Sequence, residues 1–278
     1  MLSNMDLAMI NDEITPLAEA RISIHDRSIY FGDGVYEAVR CCGGKLFAME
    51  QHLERLKNSL RKMDMLARVD LEQVRQRVER AVSEAAMAET LVYFQISRGT
   101  ALRNHDYSDD WQPGFLLTIR AHHDRREQAT VITHPDWRWK KCDIKSLNLL
   151  PNVLAKHAAT KAGAYEALLV DENGLITEAT SSNALLIKGD VLQTAPLAAN
   201  ILPGITRAIV LGCAGQVGLQ VREKSFTVKD ALTADELLIT GTANVVMGVT
   251  HVDGKPVANG KVGPYTQRFH KLLIEAMK

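Results

Sequence analysis

Cysteine is scarce in this chain: four in 278 residues, at Cys41, Cys42, Cys142 and Cys213. None forms a Cys-x-x-Cys spacing and no histidine stands at a zinc-like offset, so neither a disulfide framework nor a metal site is indicated, and the four read as free thiols. An excess of charge of either sign is missing as well, with 33 Lys and Arg against 33 Asp and Glu. That balance gives no long-range attraction to phosphate backbones or anionic lipid, so neither nucleic-acid nor membrane partners are expected. Basic pairs such as Lys140-Lys141 and Arg125-Arg126 read as solvated surface. No apolar run approaches the roughly 20 residues of a membrane-spanning helix. Met1 to Ile14 carries Asp6, Asp12 and Glu13 and lacks the cationic start and apolar stretch of a secretory signal. Internal repeats and low-complexity segments are absent too. A cytoplasmic globular protein is the expectation.

What is present fits that class, since 46% apolar and 24% charged residues are ordinary for a folded chain. The length allows one large domain or two modest ones, and two are expected. Short apolar runs at Ile22-Ile24 and Val35-Val39 precede two amphipathic segments. Met49, Leu53, Leu56, Leu60 and Met63 recur at steps of four and three, which puts them on one helical face, and Leu71, Val74, Val78, Val82 and Ala85 repeat the pattern. Leu91 to Ile96 and Phe115 to Ile119 are rich in β-formers and read as strands against those helices. The polar stretch Ala121 to Gln128 is read as a connection between a small α/β domain over 1–120 and a larger one over 129–278. In the second half, Ala167 to Val170 and Leu175 to Glu178 flank Asn173-Gly174, a pair suited to positive φ in a tight hairpin. Ala184 to Ile187 and Val191 to Thr194 flank Lys188-Gly189-Asp190 similarly. Helices are expected at Asn152 to Ala162, Ile205 to Ala214 and Tyr265 to Lys278.

Three features carry possible chemistry. Lys145 lies in CDIKSLNLL, where a period-two reading puts it on a face with Leu147 and Leu149. Partial desolvation there favours the neutral amine that Schiff-base formation needs, although a lysine near a strand end more often reaches water. Glu178 shares a strand face with Ile176, so its carboxylate points where a core would be, and it needs a cation or several donors; an arginine or an amide would suffice. Leu202 to Arg207 opens an apolar helix with Pro203-Gly204, where free backbone N–H groups and the Thr206 hydroxyl suit a phosphate, or Pro-Gly simply sets the turn.

Together with Ser28 to Glu37 (SIYFGDGVYE), His52 to Leu56, Lys145 to Asn148, Thr177 to Asn183 and Thr240 to Thr242, these features occur in the order and approximate spacing of class IV (fold-type IV) aminotransferases, and the resemblance spans nearly the whole chain. It implies a two-domain α/β (α+β) enzyme of pyridoxal 5′-phosphate whose larger domain has a β-barrel-like core, working as a homodimer. By resemblance, Lys145 holds the cofactor and moves the proton between the substrate α-carbon and the cofactor C4′ atom. Glu178 pairs with the pyridine nitrogen. Arg55, the amides of Ile205 and Thr206, the Thr206 hydroxyl and Thr242 form a phosphate cup, and Tyr36 reaches the substrate pocket.

Within the family, the segment Ser97 to Tyr107 (SRGTALRNHDY) resembles the loop with which D-amino acid transaminases hold the substrate carboxylate, with Arg103 and His105 on the holding positions and Tyr36 joining them. Guanidinium, imidazole and phenol are donors suited to that task. Read without the family, Arg103 and His105 sit in an ordinary polar loop. The expected reaction moves the amino group of D-alanine or D-glutamate to 2-oxoglutarate or a similar 2-oxo acid. Alternatives are a branched-chain L-amino acid transaminase, then an aminodeoxychorismate lyase. Leu102 replaces a familiar proline, and Ala243 to Val249 replaces a segment that commonly holds an acidic residue and a proline, so the wall near the substrate side chain is expected to differ.

Overall fold

The apolar stripe Met49, Leu53, Leu56 and Leu60 is buried along one side of a helix, α2 (Met49–Lys62). Fully burying a side chain such as Leu56 is worth about 1.5–3 kcal/mol, which is what fixes the helix against its sheet. The computed structural model describes residues 6–122 and 126–278. Of these, 6–122, Ile144–Asn148 and Met277–Lys278 form one unit, and 126–143 with Leu149–Ala276 form another. The expected connection falls partly on 123–125, which lie outside the described residues.

In the first unit β1 (Leu7–Ile10), β2 (Glu13–Pro16), β3 (Gly34–Cys42), β4 (Lys45–Leu46), β5 (Glu89–Ser97) and β6 (Gly114–Ala121) make a six-stranded antiparallel sheet in the order β2-β1-β6-β5-β3-β4. A short helix, α1 (Arg27–Phe31), is started by the Asp26 carboxylate accepting from Ser28 N–H and ended by Gly32 at φ 61°. The helix α3 (Leu71–Ala85) begins on Asp70, which accepts from the amides of Glu72 and Gln73, and buries Val74, Val78, Ala81 and Ala85. Period-two alternation turns Thr90, Val92, Phe94 and Ile96 of β5 toward the helices and leaves Leu91, Tyr93 and Gln95 half-buried on the other face. The same alternation sends Val35, Glu37, Val39 and Cys41 of β3 inward. Of the two short apolar runs, Val35-Val39 lies in β3, whereas Ile22 and Ile24 are exposed in irregular chain before α1.

The second unit holds β7 (Gln128–Pro135), β8 (Glu166–Val170), β9 (Leu175–Ala179), β10 (Asn183–Lys188), β11 (Val191–Thr194), β12 (Gln220–Glu223), β13 (Phe226–Thr227), β14 (Glu236–Gly241), β15 (Val245–Val252) and β16 (Lys255–Pro256). They form one mixed sheet, curled into a half-barrel, in the order β12-β11-β10-β14-β15-β7-β8-β9-β13, with β16 beside β15. Strands β8, β10 and β14 are buried almost throughout. Helices α4 (Leu150–Lys161), α5 (Ile205–Cys213), α6 (Val228–Leu232) and α7 (Pro264–Ala276) complete the unit. The β8–β9 hairpin closes differently from the Asn-Gly expectation. Asp171 accepts at its carboxylate from the amides of Asn173 and Leu175, and only Gly174 of the pair has positive φ, at 76°. Among the described residues no helix is long and apolar enough to cross a membrane.

Candidate active site

Lys145 sits in an extended segment whose alternation is visible in burial: Ile144 and Ser146 are buried, while Lys145 and Leu147 are half-buried on the opposite side. Ser146 bridges Val35 of β3, the Lys145 carbonyl accepts from Tyr36 N–H at 2.9 Å, and Lys145 N–H donates to Ser59 Oγ at 3.2 Å. The backbone of the lysine is thus held between β3 and α2. Its ammonium nitrogen lies 4.1 Å from the centre of the Tyr36 ring, whose other neighbour is Tyr93 at 5.4 Å.

Directly across β3, Glu37 is fully buried and occupied by two residues of α2. Arg55 donates Nε and Nη2 to its two oxygens at 2.8 and 2.7 Å, and His52 Nδ1 lies 2.7 Å from Oε2. Burial alone would raise the Glu37 carboxyl, but the Arg55 charge and the bonds from Arg55 and His52 outweigh it and hold it at about 2. His52 is lowered, chiefly by burial, against the opposing pull of Glu37. Glu37 and His52, quoted in the sequence only as parts of motifs, thus fix Arg55 beneath the strand whose neighbouring residue, Tyr36, contacts Lys145.

Arg103 and His105 lie elsewhere in this unit, on an exposed loop after β5. Both rest on Phe31 of α1, Arg103 at 5.5 Å and His105 at 5.3 Å from its ring centre.

In the second unit Glu178, buried near the end of β9, has donors on both oxygens. Arg138 Nη1 donates to Oε1, while Asn183 Nδ2 at 2.9 Å and Leu202 N–H at 3.2 Å donate to Oε2. Even so, burial dominates over the Arg138 charge and pushes the carboxyl up to about 7. Arg138 is itself fixed by Asp136 through bonds of 2.7 and 2.9 Å. The arginine and the amide anticipated as partners for Glu178 are both present.

Beside this carboxylate, α5 starts at Gly204 without any side-chain cap, leaving the first-turn amides of Ile205 and Thr206 without intrahelical partners. A Cβ on Gly204 would come within 1.9 Å of Asn183 Oδ1, and one on Gly241 within 3.3 Å of Ser182 Oγ. Among the described residues, the buried hydroxyls of Ser182 and Thr240 find no hydrogen-bond partner. Thr242 follows in the half-buried turn between β14 and β15. Glu166 Oε1 braces the turn leading into Ser182, accepting from Thr180 Oγ1 at 2.9 Å and Ser181 Oγ at 2.6 Å.

Comparison with known proteins adds identity to this geometry. The family described as amino-transferase class IV matches residues 34–252. The chain is 39% identical over 274 residues to a D-alanine aminotransferase of Listeria monocytogenes, covering 96% of this chain and 94% of that one. It is 36% identical over 272 residues to a D-alanine aminotransferase of Staphylococcus aureus, covering 96% of each. Among solved structures, the Escherichia coli branched-chain amino acid aminotransferase superposes with TM-score 0.90 at 22% identity, covering 98% of this chain and 94% of that one. A PLP-bound hypothetical aminotransferase of Mycobacterium tuberculosis superposes with TM-score 0.85 at 22% identity, covering 98% of each. The chain belongs to the class IV aminotransferases, enzymes that work with pyridoxal 5′-phosphate.

Proposed function

We propose that the protein is a D-amino acid transaminase that transfers the amino group of D-alanine or D-glutamate to a 2-oxo acid such as 2-oxoglutarate. The observation that carries the substrate class is near-full-length identity of 36–40% to relatives named D-alanine aminotransferases. We also read it as a cytoplasmic homodimer.

The residues present fit the cofactor. An uncapped helix start and, among the described residues, two buried hydroxyls without a hydrogen-bond partner suit a phosphate ester. Ile205 and Thr206 would bind it through backbone amides, with the Thr206 hydroxyl, Thr242 and Arg55 adding donors. When bound, pyridoxal 5′-phosphate supplies a carbonyl carbon that exchanges amines and a ring that withdraws electrons from the substrate α-carbon. Lys145 would anchor it and move the proton between the α-carbon and the C4′ atom. Its fixed backbone limits where the amine can swing, and the Tyr36 ring, 4.1 Å away, bounds that arc on one side. Glu178 would hold the proton on the pyridine nitrogen. A carboxyl raised to about 7 by burial gains a cationic partner there, which favours its ionised form. Tyr36, Arg103 and His105 would bind the substrate carboxylate.

The test is a half-reaction in which the holoenzyme is mixed with D-alanine and, separately, with L-leucine while the visible cofactor absorbance is followed. Conversion by D-alanine and not by L-leucine is expected. Conversion by L-leucine alone would make it a branched-chain transaminase, and release of pyruvate from aminodeoxychorismate without an amino acceptor would make it a lyase.

A further inference from the structure

The loop that carries Arg103 and His105 has no regular secondary structure and is exposed from Ala101 to Asp110. Its backbone is nevertheless gripped from below. Arg27, only 4% exposed, donates Nη1 to the carbonyls of Asn104 at 2.7 Å and Asp106 at 3.2 Å, and Nη2 to the carbonyl of His105 at 3.2 Å. Its Nε donates to Asp33 at 2.7 Å. The Asp33 carboxylate is shared with a second buried guanidinium, Arg98, at 3.1 Å.

Two buried cations on one carboxylate leave Arg27 dependent on its remaining acceptors, because a buried guanidinium with unmet donors is costly. The three carbonyls of residues 104–106 are those acceptors. Swinging the loop away would strip Arg27 of all three, so the loop is pinned although its side chains face water. The Phe31 ring fixes what the backbone grip does not: the Arg27 and Arg103 guanidiniums lie over it at 4.8 and 5.5 Å, and the His105 ring packs against it at 5.3 Å, tilted by 44°. Arg98, 3.8 Å from the Tyr107 ring centre, holds the far side of the same loop.

We infer that Arg27, with Phe31 as its platform, is a positioning residue for substrate recognition: it sets the direction of Arg103 and His105 by binding three consecutive loop carbonyls, without touching substrate itself. This rests on the reading of Arg103 and His105 as carboxylate-binding residues. A lysine cannot replace it, since a single ammonium cannot span the three carbonyls and Asp33 in one plane.

The experiment is a kinetic cycle on the holoenzyme with D-alanine. Arg103→Ala/His105→Ala should raise KM at least ~10-fold, and Arg27→Lys should raise it by roughly 5- to 10-fold with kcat, cofactor absorbance and cofactor affinity retained. In the Arg103→Ala/His105→Ala background, Arg27→Lys should leave KM unchanged, because nothing remains for it to aim. An undiminished effect of Arg27→Lys in that background, or no effect in the wild type, would overturn the inference while leaving the carboxylate-binding reading intact. Absence of any KM change in Arg103→Ala/His105→Ala would remove that reading and the inference with it. If Arg27→Lys does not accumulate as holoenzyme, Phe31→Leu carries the same cycle with the same expected KM rise, since it takes away the platform and spares the backbone grip.

Discussion

Asn183 ties the carboxylate of Glu178 to the start of α5: its Nδ2 donates to Glu178 Oε2 at 2.9 Å and to the Leu202 carbonyl at 3.0 Å. On its other side, Oδ1 occupies the space that a side chain on Gly204 would need. Gly204 has φ −68° and ψ 130°, which any residue adopts, so its smallness matters here and its flexibility does not. Gly204→Ala should therefore act through Asn183 alone, costing about 1–3 kcal/mol and weakening cofactor binding. Urea unfolding of the apoprotein and cofactor titration measure both effects. In the Asn183→Ala background the added cost of Gly204→Ala should nearly vanish; full additivity would show that the two residues do not share this space.

Lys145→Ala should abolish the visible absorbance of the bound cofactor and lower transamination by ~10³-fold or more, with the unfolding transition little changed because the backbone bonds to Ser59 and Tyr36 remain. Turnover at the wild-type rate would mean that another lysine carries the cofactor.

Glu37 makes the folded chain sensitive to acid. Its folded value of about 2 lies below its ordinary 4.5, so the unfolded chain binds more protons in between and stability rises with pH across that window. The contribution, on the order of 3 kcal/mol, is full above 4.5 and lost as pH falls toward 2. Glu37→Gln should flatten that limb and also lower stability at pH 7 by ~3 kcal/mol, since Arg55 is left buried without its carboxylate. Denaturant midpoints at a series of pH values distinguish a flattened limb from a uniform loss.

Glu178 has the opposite sign. Its folded value of about 7 lies above its ordinary 4.5, so the folded chain binds more protons in that window and apoprotein stability falls as pH rises from 4.5 through 7. Glu178→Gln should remove this decline. Asp136 continues to neutralise Arg138, so the variant should fold, while its half-reaction with D-alanine slows by ~10²-fold or more. An unchanged half-reaction rate would separate Glu178 from the chemistry.

The sequence made some of this legible and hid the rest for physical reasons. The helical stripes of α2 and α3 and the alternation of β5 and β6 are strong periodic signals, and they correspond to buried faces in the fold. Strands such as β13 and β16, two residues each, are too short to produce a period. Glu178 was readable as a carboxylate in need of donors, but Arg138 was not readable as one of them. It stands next to exposed tryptophan and lysine residues in DWRWKK, and only the fold separates its buried guanidinium from its solvated neighbours. Glu37 carried a usable signal: with Val35 and Val39 it falls on the inward positions of a period-two strand, and His52 and Arg55, one helical turn apart, offer the matching donors. Arg27 carried none, because its acceptors are main-chain carbonyls 77 to 79 residues away.

The segment Ile144–Asn148 belongs to the first unit although the chain on either side of it belongs to the second. Ile144 is part of the hydrophobic core beneath β3 and β5, and Ser146 bridges Val35. During synthesis on a ribosome, the first 122 residues can therefore emerge with every strand of their sheet and still lack a piece of their core. The core beneath β3 and β5 is complete only after Ile144 has been made, so the step that fills it also delivers Lys145 to its place on β3, while Met277–Lys278 join the unit later still. A nascent chain stalled before that point would display a cleft in the core that the finished protein does not have.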